Sequence, residues 1–295
     1  MMLARSVLTL ALVVVLGACA SISVAPVRAQ GTAVEPLPET VGPGDGYLAL
    51  GDSIAAGIGA RRPDEGGYAA ILAGYLDRLA PSPIQRLNLA VPGETSGALL
   101  EGSQLTWALR FLDAAGRNGL RISPISVTIG ANDLLRAGTS PGERTAALVG
   151  VARNLGDLLA RLRAATEDGA GRPTADIVVT GYYDASRSPS AVEGSDGWWL
   201  AELDRTIAAE AERAGARWVD VASAFHGREA EMTLYPNDIH PSDAGHRAIA
   251  DAVWAALEYD GAAEDGGASG SPGGPLPASP RSDSGASPSP TADPR

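Results

Sequence analysis

The chain has 295 residues, 45% of them hydrophobic, which is enough to bury one large core or two small ones. Its formal net charge of −12, with all 23 basic residues arginine, argues against a nucleic-acid surface, which needs clustered cations. Cys19 is the one cysteine, so an intramolecular disulfide is excluded.

The N-terminus reads as an export signal. Arg5 precedes an apolar run, Val7 to Leu16, which is too short for a mature membrane span and has the make-up of a secretory signal. Leu16-Gly-Ala-Cys19 resembles the bacterial lipobox. That resemblance makes residues 1–18 the expected signal peptide and Cys19 the expected lipidated first residue of the mature protein. The expected location is the outer face of the bacterial cell membrane, held there by a lipid anchor. Ordinary cleavage after Ala29, with free secretion, is the alternative. Residues 19–45 are small, polar and Pro-rich and read as a flexible tether. Residues 260–295 are Gly, Ser, Pro, Ala and Asp with almost no large apolar side chain, and are expected to be disordered.

Between these segments, residues 46–259 alternate short apolar runs with helical stripes. Strands are expected at 47–50, 86–90, 125–129, 176–181 and 217–221, mostly apolar runs suited to burial on both faces. Tyr68, Ile71, Leu72, Tyr75, Leu76 and Leu79 lie on one helical face, as do Leu105, Ala108, Leu109 and Leu112. Leu148, Val151, Leu155, Leu158 and Leu162 form a third stripe, and Leu200, Leu203, Ile207 and Ala211 a fourth, with Gly215 as its stop. Ser242 is a natural N-cap for a last helix carrying Ile249, Val253 and Leu257. Five such βα units imply one α/β domain in three layers, with a parallel sheet of about five strands and right-handed crossovers.

Four short segments fall at strand or helix ends of this domain: Gly51-Asp52-Ser53, Asn88 to Gly93-Glu-Thr-Ser96, Gly130-Ala-Asn132-Asp133 and His240-Pro241. In open α/β sheets ligands bind beyond the carboxyl ends of the strands. Taken singly, Ser53 is a turn or cap serine, Gly93 a turn after Pro92, and Asn132 a helix start. Ala55 stands where a Gly-x-Ser-x-Gly elbow would end. Gly57-Ile-Gly59 lacks the third glycine of a dinucleotide fingerprint, and there is no Walker lysine. No set of Cys, His and carboxylates has metal-ligand spacing, so neither metal nor cofactor is expected.

In this order and spacing, the four blocks resemble the SGNH/GDSL hydrolase superfamily. The resemblance covers residues 46–259 and implies a flavodoxin-like α/β/α fold and a serine esterase. It makes Ser53 the expected nucleophile and His240 the base. The amides of Ser53 and Gly93 and the side-chain amide of Asn132 become the expected oxyanion hole. A small-molecule or lipid ester is the expected partner. The chain departs from the family at Asn237, where an aspartate is usual three residues before the histidine; Asp238 stands two before. Asp238, the side-chain carbonyl of Asn237 and a backbone carbonyl are all open as the group that orients His240. A charged acceptor stabilises imidazolium better, which favours Asp238. Leu50-Gly-Asp-Ser-Ile-Ala-Ala-Gly57 and Gly93-Glu-Thr-Ser96 look most like the lysophospholipase and thioesterase branch. A carbohydrate O-deacetylase of the cell envelope and a non-catalytic SGNH-like binding lipoprotein are the rival readings. His246, inside the last helix, reads as a surface or core histidine. Tyr182, Tyr183, Trp198 and Trp199 either line an acyl groove or pack a loop onto the core. Oligomeric state leaves no mark in the sequence.

Overall fold

Apolar strands separated by amphipathic helices fold into a doubly wound sheet. The computed structural model describes residues 40–259. In chain order the elements are β1 (Gly46–Gly51), α1 (Pro63–Gly66), α2 (Tyr68–Leu79), β2 (Gln85–Asn88), α3 (Ser96–Glu101), α4 (Ser103–Arg117), β3 (Ile122–Thr128), α5 (Ala131–Arg136), α6 (Pro141–Ala165), β4 (Ile177–Thr180), α7 (Asp196–Arg213), β5 (Arg217–Val219), α8 (Val221–Phe225), α9 (Glu229–Met232) and α10 (Asp243–Leu257). The five strands are all parallel, in the order β2-β1-β3-β4-β5. That is the flavodoxin-like order, in which the direction of winding reverses between β1 and β3. Helix α2 packs against α10, while α6 packs against α3, α4 and α7. This gives one helical layer on each face.

Helix ends follow the local chemistry. Ser140 and Glu143 form a capping box at the start of α6, with Pro141 in its first turn. The side chain of Ser242 accepts from Gly245 N at the start of α10, as its sequence predicts. Gly215, the expected stop of α7, follows its C-cap with a φ of +61°.

β4 and β5 are shorter than the expected 176–181 and 217–221, and Val221 already opens α8; two other strands differ in more than their ends. β3 begins three residues early, at Ile122, because Pro124 hides a central strand: a proline cannot donate to the ladder. The sheet accommodates it with a register shift against β1 between Gly46 and Leu48, an extra residue on the β3 side. β2, expected to be buried on both faces, is an edge strand of sequence Gln-Arg-Leu-Asn and is mostly exposed.

The core of the sheet also carries hydroxyls, each with a partner. Tyr47 Oη meets Ser126 Oγ at 2.6 Å, Tyr68 Oη meets Thr128 Oγ1 at 2.7 Å, and Thr128 Oγ1 meets Thr180 Oγ1 at 2.7 Å.

The expected tether, 19–45, is shortened at its far end. The backbone amides of Val41 and Gly42 donate to the buried Asp176 carboxylate at 3.1 and 2.9 Å. Gly44 N donates to Ser123 O at 2.9 Å, so residues 40–45 belong to the domain. Tyr259 Oη reaches Asp176 from the other end of the domain at 2.9 Å. The signal peptide, Cys19, most of the tether and the tail lie outside the described residues. Among the described residues no helix is long and apolar enough to cross a membrane.

Candidate active site

β1 ends in a turn that only glycine can open. Gly51 has a φ of +138°, and a Cβ there would lie 2.1 Å from Thr128 O. The buried Gln104 side chain holds Gly51 from both sides, accepting its N–H at 2.5 Å and donating to its carbonyl at 3.1 Å. Asp52 follows, fully buried, and accepts from Ile54 N at 2.9 Å and from Tyr182 Oη at 2.7 Å. Ser53 sits at the centre of this Asx-type turn. Its hydroxyl acts as no helix cap; it lies 2.8 Å from His240 Nε2.

His240 arrives on the segment between α9 and α10. Its Nδ1 lies 2.5 Å from Asp238 Oδ1, and its backbone N–H donates to the same oxygen at 3.1 Å. Leu234 O accepts from both Asn237 N and Asp238 N, so the chain bends and a carboxylate only two residues away meets the ring. The exposed Asn237 makes no side-chain hydrogen bond among the described residues. Of the three groups open from sequence, Asp238 is the one in contact. Gly59 lets this segment approach β1: its Cβ would lie 2.2 Å from Pro241 O and 2.9 Å from His240 Cβ. Tyr183 Oη donates to Ile239 O at 2.8 Å, next to His240, while its ring stacks on Phe225.

Gly93 and Asn132 lie on the segments that follow β2 and β3. Gly93, with φ +79°, occupies a turn closed by Glu94 N donating to Val91 O at 3.1 Å. Asn132 lies in the first turn of α5, behind Gly130 at φ +127°. Asn132 Nδ2 donates one hydrogen to Glu94 O at 2.9 Å, which ties the two segments together. Arg136 adds a bond to Gly93 O at 2.6 Å, and Asp133 accepts from Ser96 N and Ser96 Oγ at 2.8 and 2.7 Å. Among the described residues neither Ser53 N–H nor Gly93 N–H has an acceptor. Unpaired backbone amides of this kind can meet negative charge on an acyl oxygen.

Replacing Asn132 by alanine is expected to lower kcat by about 10²–10³ with a smaller change in KM, the mark of a donor used mainly in the transition state. Steady-state kinetics on one soluble ester check this. A change confined to KM would move Asn132 to ground-state binding.

The carboxylates around the site are tuned apart. Burial raises the Asp238 pKa, but the hydrogen bonds from the His240 ring and backbone outweigh it, so the net shift is downward. Burial pushes Asp52 up to about 6, against the Tyr182 and Ile54 hydrogen bonds and the His240 charge, with Asp133 adding to the rise. Asp204 on α7, partly buried, accepts from Tyr182 N at 2.9 Å. Burial pushes it from 3.8 to about 7, opposed by the Tyr182 amide and assisted by repulsion from Asp220.

These shifts set opposite stability trends. A raised carboxyl holds a proton in the folded state that the unfolded chain has released, so its contribution is lost as pH rises through the folded pKa. For Asp204 that window runs from 3.8 to about 7. His246 runs the other way: burial lowers its pKa, and its contribution is lost as pH falls below its ordinary 6.5. Asp204→Asn keeps an oxygen for Tyr182 N–H and removes the titration. It is expected to stabilise the fold at pH 8 by about 1–3 kcal/mol and by less at pH 5. Thermal denaturation at the two pH values checks this; an equal shift at both would contradict it.

The aromatic pair after β4 belongs to the framework. Tyr182 and Tyr183 are buried and use their hydroxyls on Asp52 and Ile239, and Trp199 is buried. His246 is a core histidine: its Nδ1 accepts from Tyr68 N at 3.3 Å and its Nε2–H donates to Ile58 O at 2.9 Å. Among the described residues no group of His, Cys, Asp and Glu is arranged to hold a metal ion. Sequence reasoning gave no role to Gln104 or Asp52, and for Tyr182 it left an acyl groove and loop packing open without pointing to Asp52. Only Asp52 stood in a recognisable block, and its partners are remote in the chain.

Ser53 and His240 thus meet just beyond the β1 end, with Asn132 beyond β3, on either side of the switch point. A family model, described as the GDSL-like lipase/acylhydrolase family, matches residues 49–248, which spans all of these positions. The chain belongs to this family. As a GDSL-like acylhydrolase it is a carboxylic ester hydrolase, and the reading as a non-catalytic binding protein falls.

Solved structures share the GDSL fold at low identity. A lipase from a goat rumen metagenome has a TM-score of 0.57 and 18% identity, over 72% of this chain and 97% of that one. An acetylxylan esterase from Geobacillus stearothermophilus has a TM-score of 0.53 and 22% identity, over 74% and 96%. A phospholipase A1 from Streptomyces albidoflavus has a TM-score of 0.50 and 20% identity, over 72% and 98%. No curated protein sequence matches the chain significantly.

Proposed function

We propose that this GDSL-family hydrolase cleaves carboxylic esters with apolar acyl chains through an acyl-Ser53 intermediate. The observation that carries this reading is the hydrogen-bonded series Ser53 Oγ–His240 Nε2 and His240 Nδ1–Asp238 Oδ1. Ser53 Oγ attacks the acyl carbon and its proton passes to His240 Nε2, while Asp238 stabilises the imidazolium. The carbonyl oxygen, now negative, is met by Ser53 N–H, Gly93 N–H and the second hydrogen of Asn132 Nδ2. Collapse expels the alcohol, which takes the proton from His240. Water, deprotonated by the same ring, then releases the acid and regenerates Ser53.

The acyl preference rests on the side chains around these residues. Val91, Leu135, Leu234, Tyr235 and Ile239 are exposed, and each lies on a segment that carries Gly93, Asn132 or His240. Neighbours of this fold include enzymes named for lipids and one named for acetylated xylan, so the fold does not choose between them. A series of p-nitrophenyl esters, run beside a lysophospholipid and acetylated xylan, tests the choice. kcat/KM is expected to rise from acetyl toward hexanoyl, by at most about fourfold per methylene, the limit for full burial of each CH2. Best turnover on acetylated xylan would instead support the envelope deacetylase.

Export and lipid anchoring at Cys19 are part of the same proposal, supported by Arg5, the apolar run Val7 to Leu16 and Leu16-Gly-Ala-Cys19. Metabolic labelling with a fatty acid is expected to mark the wild type and not Cys19→Ala. An unlabelled wild type would overturn anchoring.

A further inference from the structure

One buried contact ties the Ser53 turn to the opposite half of the sheet. Asp52 is 1% exposed, and each oxygen of its carboxylate has one donor. Oδ1 takes Ile54 N–H at 2.9 Å and so bridges over Ser53; Oδ2 takes Tyr182 Oη at 2.7 Å. The bridge over Ser53 is an Asx-type turn, whose shape depends on the rotation of the carboxylate. Tyr182 holds the oxygen that the turn itself leaves free. The tyrosine is itself held: its ring is buried, its N–H donates to Asp204 at 2.9 Å, and Gly181 N donates to Val219 O at 2.9 Å.

Resting on the reading of Ser53 as nucleophile, we propose that Tyr182 is a positioning residue for it. Through the Asp52 carboxylate, Tyr182 fixes the turn that presents Ser53 Oγ to His240 and leaves the Ser53 amide free for the acyl oxygen. It touches neither substrate nor reacting atoms. Its hydroxyl acts by keeping Asp52 an acceptor in one orientation.

The groups facing Asp52 are Tyr182 and Tyr183 from the loop after β4, Tyr68 from α2, Asp133 from α5, and His240. Of these, the Tyr182 hydrogen bond and the His240 charge favour the ionised carboxylate, and Asp133 opposes it. Protonating Asp52 turns an acceptor into a donor and removes a charge that favours imidazolium on His240. Loss of the Tyr182 hydroxyl therefore has two signatures, a looser turn and an Asp52 that keeps its proton to higher pH.

The test compares Tyr182→Phe with the wild type and with Tyr183→Phe, which loses a hydroxyl from the same loop but not one bonded to Asp52. For Tyr182→Phe, kcat at pH 8 is expected to fall about tenfold, with KM changed less than about twofold. The acid limb of its kcat/KM profile is expected to move to higher pH, and that of Tyr183→Phe to stay in place. A Tyr182→Phe enzyme of lower melting temperature, with wild-type kcat and a wild-type acid limb, would overturn the proposal. If Tyr182→Phe does not fold, Asp52→Asn takes its place and is expected to lower kcat about tenfold and abolish the Asp52 inflection. A wild-type profile there would overturn the proposal as well. Ser53→Ala runs beside each series: retained turnover in it would bring down the nucleophile reading itself, which is a separate outcome.

Discussion

Replacing Ser53 by alanine is expected to abolish ester hydrolysis while leaving the melting temperature nearly unchanged. The Ser53 hydroxyl has His240 Nε2 as its hydrogen-bond partner at 2.8 Å and supports no helix cap. Its loss therefore removes little folding energy. The chemical loss is large, because no acyl-enzyme forms and catalysis is left to binding and the oxyanion donors. In a comparable serine hydrolase the loss of the nucleophile cost about 10⁶ in kcat. Initial rates on p-nitrophenyl butyrate, with melting curves on the same preparations, check both halves. Turnover within tenfold of the wild type would remove Ser53 from the mechanism.

The second large effect is expected at Asp238. Asp238→Asn keeps the shape of the turn and removes the charge at 2.5 Å from His240 Nδ1. If the new amide turns its NH2 to the ring, the histidine is held in the wrong tautomer, a change worth about 10⁴ in kcat. If it turns its carbonyl, only the charge-assisted part of the bond is lost, about 1.5–3 kcal/mol. The expected fall in kcat/KM is thus about 10–10⁴, with His240→Ala at least as damaging. Asn237→Ala is expected to stay within about threefold of the wild type, since the side chain is exposed and unbonded among the described residues. Measuring the three variants on one ester checks the ordering. A near-wild-type Asp238→Asn would mean that the enzyme runs on a Ser53–His240 dyad.

Much of this architecture was legible from periodicity alone. Strand and helix alternation predicts the parallel three-layer fold because stripes at helical spacing must cover both faces of a sheet. Pro124 concealed the start of β3, since a register shift against a neighbouring strand leaves no mark in the sequence of one strand. The exposure of β2 depends on its place at the edge, and strand order is not written in any single segment.

The site divides in the same way. Ser53, Gly93, Asn132 and His240 each stand in a short block, and the order and spacing of the four blocks, through their resemblance to a known superfamily, singled them out. Asp238 was one choice among three because linear spacing does not show that Leu234 O gathers two amides and bends the chain. The Tyr182–Asp52 contact spans 130 residues of sequence and lies in no motif. Only the folded sheet brings the two side chains together.

The central claim is that Ser53 is an activated nucleophile. Reaction with a fluorophosphonate probe, in which Oγ bonds to phosphorus and fluoride leaves, measures this most directly, with the adduct mapped by mass spectrometry. The account predicts one adduct, on the peptide containing Ser53, absent in Ser53→Ala and strongly slowed in His240→Ala. An unlabelled protein that nonetheless hydrolyses esters, or an adduct on another residue, would contradict it.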